Sequence, residues 1–275
     1  MTNIRPFTIL LLLIFGISNA QTHRFVYELT VQHPHSGLDK YNMVLDINPD
    51  SVKFYDYEFL RIDSIRKKSG KNIQTNSETD QRIFRKRNSN ENKTFHTHTY
   101  DYFVVNSTDK IDWKIEKETK KTENFLLQKA TTEFGGRQWI AWFDSDIPFQ
   151  EGPYKFQGLS GLIFEIYDTE NIFHYTLIKS ISLSEIADTT DFLETYYGKK
   201  PIPINIEKYH KIKLDYYHNI IEILNDFAKK GGTIASEDDI STPEEISKKR
   251  NLIQKSIKEN YLPIEKNKAI PYPNN

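Results

Sequence analysis

The sequence predicts a mainly β protein of the α+β class: an antiparallel meander of short strands followed by two C-terminal helices. Two observations carry this. Between about residues 24 and 182, β-branched and aromatic runs alternate with polar or Gly/Pro/Asn turns. Beyond residue 200 the apolar spacing becomes helical. Many strands with few intervening helices point to a sandwich or an open barrel.

The N-terminus stands apart from that domain. Arg5 is a short positive region, Phe7 to Ile17 is an apolar run, and Ser18, Asn19 and Ala20 offer small residues for cleavage. This is the three-part pattern of an export signal, predicting a mature chain from Gln21 in the periplasm or outside the cell. The apolar run is about half the length of a membrane-spanning helix, so no span is expected after cleavage. With no Cys, thiolate catalysis, thiolate metal sites and disulfides are excluded. Of 37 basic residues only Arg5 is lost, against 38 acids, leaving a net charge of −2 and no electrostatic reason to expect nucleic acid. No cofactor is expected.

Strands are predicted over residues 25–31, 41–47, 52–57, 95–105, 111–115, 125–131, 138–143, 162–167 and 172–181, with Asn48-Pro49-Asp50 as a tight turn. Residues 67–78 are polar enough to be a loop. Residues 205–230 read as one long amphipathic helix stopped by Gly231-Gly232. Thr242, Pro243, Glu244 and Glu245 open a second helix running to about Asn260. Residues 231–241 are the expected connection, and the tail from 263 is irregular. The division is therefore a signal (1–20), a β domain (21–200) and a helical extension packed on it (201–275).

The densest stretch is 133–168, which holds five of the eleven glycines and two of the three Trp. Gly135-Gly136 suits a hairpin turn, and Ile147-Pro148 and Gly152-Pro153 set rigid corners before Gly158 and Gly161. Either a tightly specified core hairpin or a ligand-binding lip would use such backbone geometry.

Within that stretch Gly158, Leu159, Ser160, Gly161, Leu162 and Ile163 resemble the signature of the GLPGLI family of exported bacterial proteins, whose function is unassigned. Arg137, Trp139, Ala141, Trp142, Phe143, Ile147, Pro148, Gly152, Pro153, Tyr154, Phe156 and Asp168 match its W-x-A-W-F and G-P-Y-x-F patterns. Leu262-Pro263-Ile264-Glu265 resembles its C-terminal N-P-I-E element, and Ser160 departs from it where the family has Pro. The resemblance implies an open, LolA-like half-barrel, as in periplasmic lipoprotein carriers, with a concave face that the long helix could cover. It further implies a non-catalytic binding or carrier module for an apolar small ligand, a peptide or an envelope protein. Trp139, Trp142, Tyr154 and Phe156 are then the candidate ligand contacts, and Gly158, Leu159, Gly161, Leu162 and Ile163 the motif that shapes them.

Other chemistries have weaker patterns. Ser160 between glycines resembles a nucleophile elbow, but the second Gly is one residue early and a strand follows where an elbow needs a helix. His33 with His35, and His96 with His98, are spaced to point from one face of a strand and are the candidate metal ligands of an alternative, metal-dependent or hydrolytic protein. Asp144 and Asp146 could serve as acid and base, although their place before Pro148 suits turn chemistry. Asp63-Ser64-Ile65 and Asp188-Thr189-Thr190 fit a short O-glycosylation acceptor pattern. A third possibility is an accessory role in an outer-membrane transport or secretion complex, docking through the solvated helices.

Overall fold

The computed structural model describes residues 22–35, 37–99, 101–122, 124–229 and 243–273. The export signal, the 231–241 connection and the cap at Thr242 lie outside them.

The first six strands are β1 (Thr22–His33), β2 (Gly37–Ile47), β3 (Ser51–Asp56), β4 (Arg82–Lys86), β5 (Glu91–His98) and β6 (Asp101–Thr108), with helix α1 (Tyr57–Ser69) between β3 and β4. There follow β7 (Lys114–Lys121), β8 (Leu126–Phe134), β9 (Arg137–Asp144), β10 (Leu162–Asp168) and β11 (Phe173–Leu183). After β12 (Ile202–Ile204) come α2 (Ile206–His218), α3 (Ile220–Lys229) and α4 (Pro243–Asn260). All twelve strands form one mixed sheet in the order β12-β6-β5-β4-β3-β2-β1-β11-β10-β9-β8-β7. It is open, since its edge strands β12 and β7 are not paired with each other. Only β12 on β6 is a parallel neighbour.

This order forces the sheet to curl. The chain meanders from β1 out to β6, then starts again at β7 on the opposite edge and meanders back until β11 pairs with β1. In a flat sheet the ten steps between β6 and β7 would span about 48 Å. The link from Thr108 to Lys114 reaches at most about 22 Å. The edges must therefore approach across a narrow seam.

The β9–β10 connection, residues 145–161, staples that seam. Glu151 pairs with Arg85 of β4, and Gln157 donates to the Ser89 carbonyl at 3.0 Å and to Asn90 at 3.1 Å. Trp113, in the crossover, donates to the Gln157 carbonyl at 2.8 Å. The connection also fills the interior. Phe156 is fully buried, 4.7 Å from the Trp139 ring and 5.5 Å from Phe134, within a core that includes Tyr27, Leu29, Phe54, Phe143, Ile166 and Tyr175. On the other face α1 and a π-helical turn (Thr190–Glu194) cover a second cluster of Tyr55, Phe59, Phe95, Tyr102, Phe192 and Leu193.

Several expectations are corrected here. Strand 95–105 is a hairpin, broken where Thr99 turns left-handed at φ 50°. Strand 111–115 falls on the crossover, and the strand itself lies later, in the Lys/Glu-rich β7. That composition shields an unpaired edge rather than a core. Helix 205–230 is two helices meeting at Asn219: the Asn205 side chain caps the start of α2, accepting from the Lys208 amide at 2.9 Å, and the Asn219 amide closes the end of α2 on the Asp215 carbonyl at 2.9 Å. The 67–78 loop begins only after α1 ends at Gly70, whose φ of 68° stops the helix. β12 lies in the expected helical extension yet belongs to the sheet.

Candidate site: a clamped seam and the cavity beside it

Residues that the sequence places far apart meet at the seam. Lys155 lies between Glu265, at 2.6 Å, and Asp109, at 3.1 Å; Lys268 lies between the same two acids at 2.5 and 2.9 Å. The Tyr154 hydroxyl donates to Glu265 at 2.6 Å, and Ser107 to Asp109. Two cations and two anions thus close on one another, and Lys155, Asp109 and Glu265 are buried. Burial opposes ionisation of both acids, but the two lysines outweigh it, holding Glu265 below the carboxylate range and Asp109 down to about 2. Burial, with the charge of Glu265, pushes the Tyr154 phenol up, so it stays a donor.

The backbone around this clamp has no slack. Arg137 donates to the carbonyls of Pro263 at 2.9 Å and Ile264 at 3.1 Å, and to Asp168 at 2.9 Å. A Cβ on Gly135 would lie 2.9 Å from the Glu265 side chain, and one on Gly161 would fall 1.8 Å from the Asp144 carbonyl oxygen. The Gly-Gly turn, the G-P-Y-K segment and the Pro-Ile-Glu tail are therefore parts of one joint.

A family match falls on this joint. The family model described as "Protein of unknown function (Porph_ging)" matches residues 135–165. Among solved structures, PNGF-II in its C2 and P21 crystal forms superposes with a TM-score of 0.50 at 15% identity, covering 70% of this chain and 32% and 33% of those chains. The chain spans about a third of PNGF-II, and at that identity the likeness is one of fold alone. The LolA superfamily protein NE2245 from Nitrosomonas europaea gives a TM-score of 0.28 at 8% identity, covering 62% of this chain and 89% of that one. No curated protein matches the chain.

Beside the clamp lies a cavity of about 780 Å³. Its walls are residues of β1 and β2, the strands β5 and β6, the 77–81 loop, Tyr154 and Lys155, α2, the end of α4 and the tail from Tyr261 to Tyr272. The 77–81 loop is rigid because buried Asp56 accepts from the Ser77 hydroxyl at 2.6 Å, the Glu78 and Thr79 amides at 3.1 and 3.2 Å, and the Thr79 hydroxyl at 3.1 Å. Burial pushes the Asp56 carboxyl up, in opposition to these bonds. The loop ends on Asp80, in the left-handed region at φ 54°. One oxygen of Asp80 takes both His96, at 2.9 Å, and the Tyr209 hydroxyl, at 3.2 Å, while 51% of its side chain remains exposed to the cavity. Burial opposes its charge, yet His96, Arg82 and Lys213 hold it below the carboxylate range. Tyr209 also stacks on His96 at 4.2 Å, joining α2 to the sheet.

The expected ligand contacts divide. Trp139 and Phe156 are core, packed on one another, and have no free face for a ligand. Trp142 lies on the opposite face, under Lys120 at 4.6 Å and Lys129 at 5.8 Å. Tyr154 alone reaches the cavity. Gly158, at φ 93°, and Gly161 shape the connection, while Leu159, Leu162 and Ile163 are buried in the core. Ser160 is exposed and a strand follows it. Asp144 accepts from the Asp146 amide at 2.9 Å, which is turn chemistry.

His33 and His96 both line the cavity, His98 lies edge-on to Tyr216 at 4.8 Å, and His35 is in an exposed turn. Among the described residues no three His, Asp or Glu side chains gather as a metal site. Of the glycosylation patterns, Thr189 is fully buried, donating to Glu194 and accepting from Lys53, so it offers no acceptor hydroxyl; Ser64 is exposed on α1.

Sequence reasoning missed Asp80, Gln81, Asn106, Tyr209 and Lys213 at the cavity and Lys155, Asp109 and Lys268 at the clamp. Lys155, inside the G-P-Y-K-F segment, carried the one available signal: a charged residue in an apolar, glycine-rich run.

Proposed function

We propose that this chain is an exported, non-catalytic binding module whose site is the cavity between the curled sheet and its C-terminal tail. One observation carries the proposal: a cleft of about 780 Å³ is bordered by walls that are themselves fixed, by Asp56 on one side and the Lys155–Glu265–Lys268 clamp on the other. A volume of that size suits a small ligand or a short chain segment, and prearranged walls limit the ordering cost of binding. The interior of the curl is packed by Phe156 and Trp139, so the ligand we assign is not an acyl chain inside the curl. It is a polar or mixed molecule beside it. The apolar content that suggested a lipid carrier is spent on the core.

Native mass spectrometry on the chain purified without denaturation from its own host tests this. A retained ligand that disappears when the cavity is filled, by Thr94→Trp, is the expected result. A bare chain that also gains no thermal stability from any of a set of polar, apolar and peptide ligands would sink it. N-terminal sequencing of the same sample is expected to start at Gln21.

A further inference from the structure

We propose that the cavity takes a polyhydroxylated ligand, a saccharide unit, hydrogen-bonded by Asp80, Gln81, Asn106 and Thr94 and laid against the Tyr272 and Tyr41 rings; this rests on the binding reading above. The walls contain polar groups with unused capacity. Gln81 is 3% exposed and Thr94 8%, both lining the cavity. The Gln81 carbonyl accepts from Tyr175 at 2.7 Å, but its amide nitrogen has no partner among the described residues, and neither does the Thr94 hydroxyl. Both residues line the cavity, so these groups are free to bond a ligand there, and an apolar ligand covering them would leave each without a partner, at about 1–3 kcal/mol. Asn106 is an exposed amide on the same wall. Asp80 commits one oxygen to His96 and Tyr209 and presents the other without a partner.

The chemistry of this set is amphoteric. A carboxylate oxygen accepts two hydroxyl protons, an amide offers both a donor and an acceptor at the spacing of neighbouring hydroxyls, and Thr94 can do either. Half-buried tyrosine rings supply flat apolar faces with a polar edge, suited to the C–H face of a sugar ring. A fatty acid would strand the buried amide and hydroxyl. A strongly anionic ligand would face Asp80, Glu78 and Glu207, with Lys213 as the cavity cation not already engaged in the clamp.

Saturation-transfer NMR on the mature chain tests the inference, with short neutral cello-, chito- and manno-oligosaccharides as probes and decanoate and a neutral unstructured peptide as comparisons. Asp80→Asn keeps a residue that tolerates the left-handed backbone while replacing the free acceptor by a donor. Asn106→Ala removes an exposed amide without touching the core. At least one saccharide is expected to bind, with affinity falling about tenfold in Asp80→Asn, the scale of one hydrogen bond to a charged group, and less in Asn106→Ala. Circular dichroism confirms that both variants are folded. Signals from decanoate or the peptide alone would overturn the saccharide and leave the binding module standing. Silence from every probe with folded protein would remove both, and saccharide binding unchanged in both variants would overturn the site.

Discussion

The clamp and the cavity are a few residues apart and are built in opposite ways. In the clamp every charge has a counter-charge, the tail backbone packs against Gly135 and Gly136, and Tyr154 and Lys155 come from the most distinctive stretch of the sequence. In the cavity wall, side chains keep unused hydrogen-bonding capacity, and they come from a plain polar loop and the ends of strands. Dense motifs here report how the sheet is closed; ligand chemistry sits where the motifs are not. The two kinds of region should respond differently to substitution and to acid.

The sharpest contrast is between two glycines three residues apart. Gly161→Ala forces a Cβ to within 1.8 Å of the Asp144 carbonyl and is expected to cost about 4 kcal/mol or more, enough to prevent folding. Gly158→Ala meets open space and bears only the cost of its φ of 93°, about 1–3 kcal/mol. Urea denaturation of both checks this, and equal losses would contradict it.

Breaking the charge cluster comes next. Lys155→Ala leaves Asp109 and Glu265 with one lysine between them, for a loss of about 3–5 kcal/mol. Lys120→Ala, on the outer face, removes a partly exposed pair with Glu165 and should cost no more than about 1 kcal/mol.

Acid separates the regions by pH. A carboxylate with a depressed pKa in the fold is protonated more readily in the unfolded chain. The stability contributed by Asp109 is therefore complete above its ordinary value of 3.8 and is lost as pH falls towards about 2. His98, beside α2, is pushed down to about 4 from 6.5 by burial and by Lys213. Staying neutral in the fold while the unfolded chain takes up a proton, it lowers stability as pH falls from 6.5 to 4. Urea midpoints measured across pH are expected to show two declines, with His98→Gln flattening the upper and Asp109→Asn the lower. A single decline unaffected by His98→Gln would remove the separation. The smallest effect belongs to the cavity: Asn106→Ala should leave stability within about 0.5 kcal/mol.

The legible part of this molecule was the meander, because alternation at period two survives wherever one face is buried. The 25–31, 138–143 and 162–167 strands all lie inside observed strands. What stayed hidden has physical causes. β4 reads R-I-F-R-K, and its Arg82 and Arg85 look solvated in sequence, yet Arg85 is buried against Glu151 and Arg82 among the rings of Phe59, Tyr102 and Tyr196. α1 buries only Phe59 and Ile62, too narrow a stripe to announce a helix. Trp139 and Phe156 drew attention as aromatics, but composition does not say whether a ring faces a ligand or another ring. The cavity is less legible still, since Asp80 and Asn106 are ordinary loop and strand-end residues until the curl brings them together.

The clamp also has a consequence for the order in which the protein matures. Asp109 and Lys155 are made early, while Glu265 and Lys268 come more than a hundred residues after the first and second of them in chain order. Because a ribosome delivers the chain from N-terminus to C-terminus, both lysine–acid pairs that seal the joint must wait for the final stretch of the described chain. Until then Lys155 has only Asp109 for company, and Arg137 lacks the two tail carbonyls it holds in the finished fold. The sheet can be paired before that moment, but it cannot be locked; the 263–268 segment acts as the latch on what is synthesised before it.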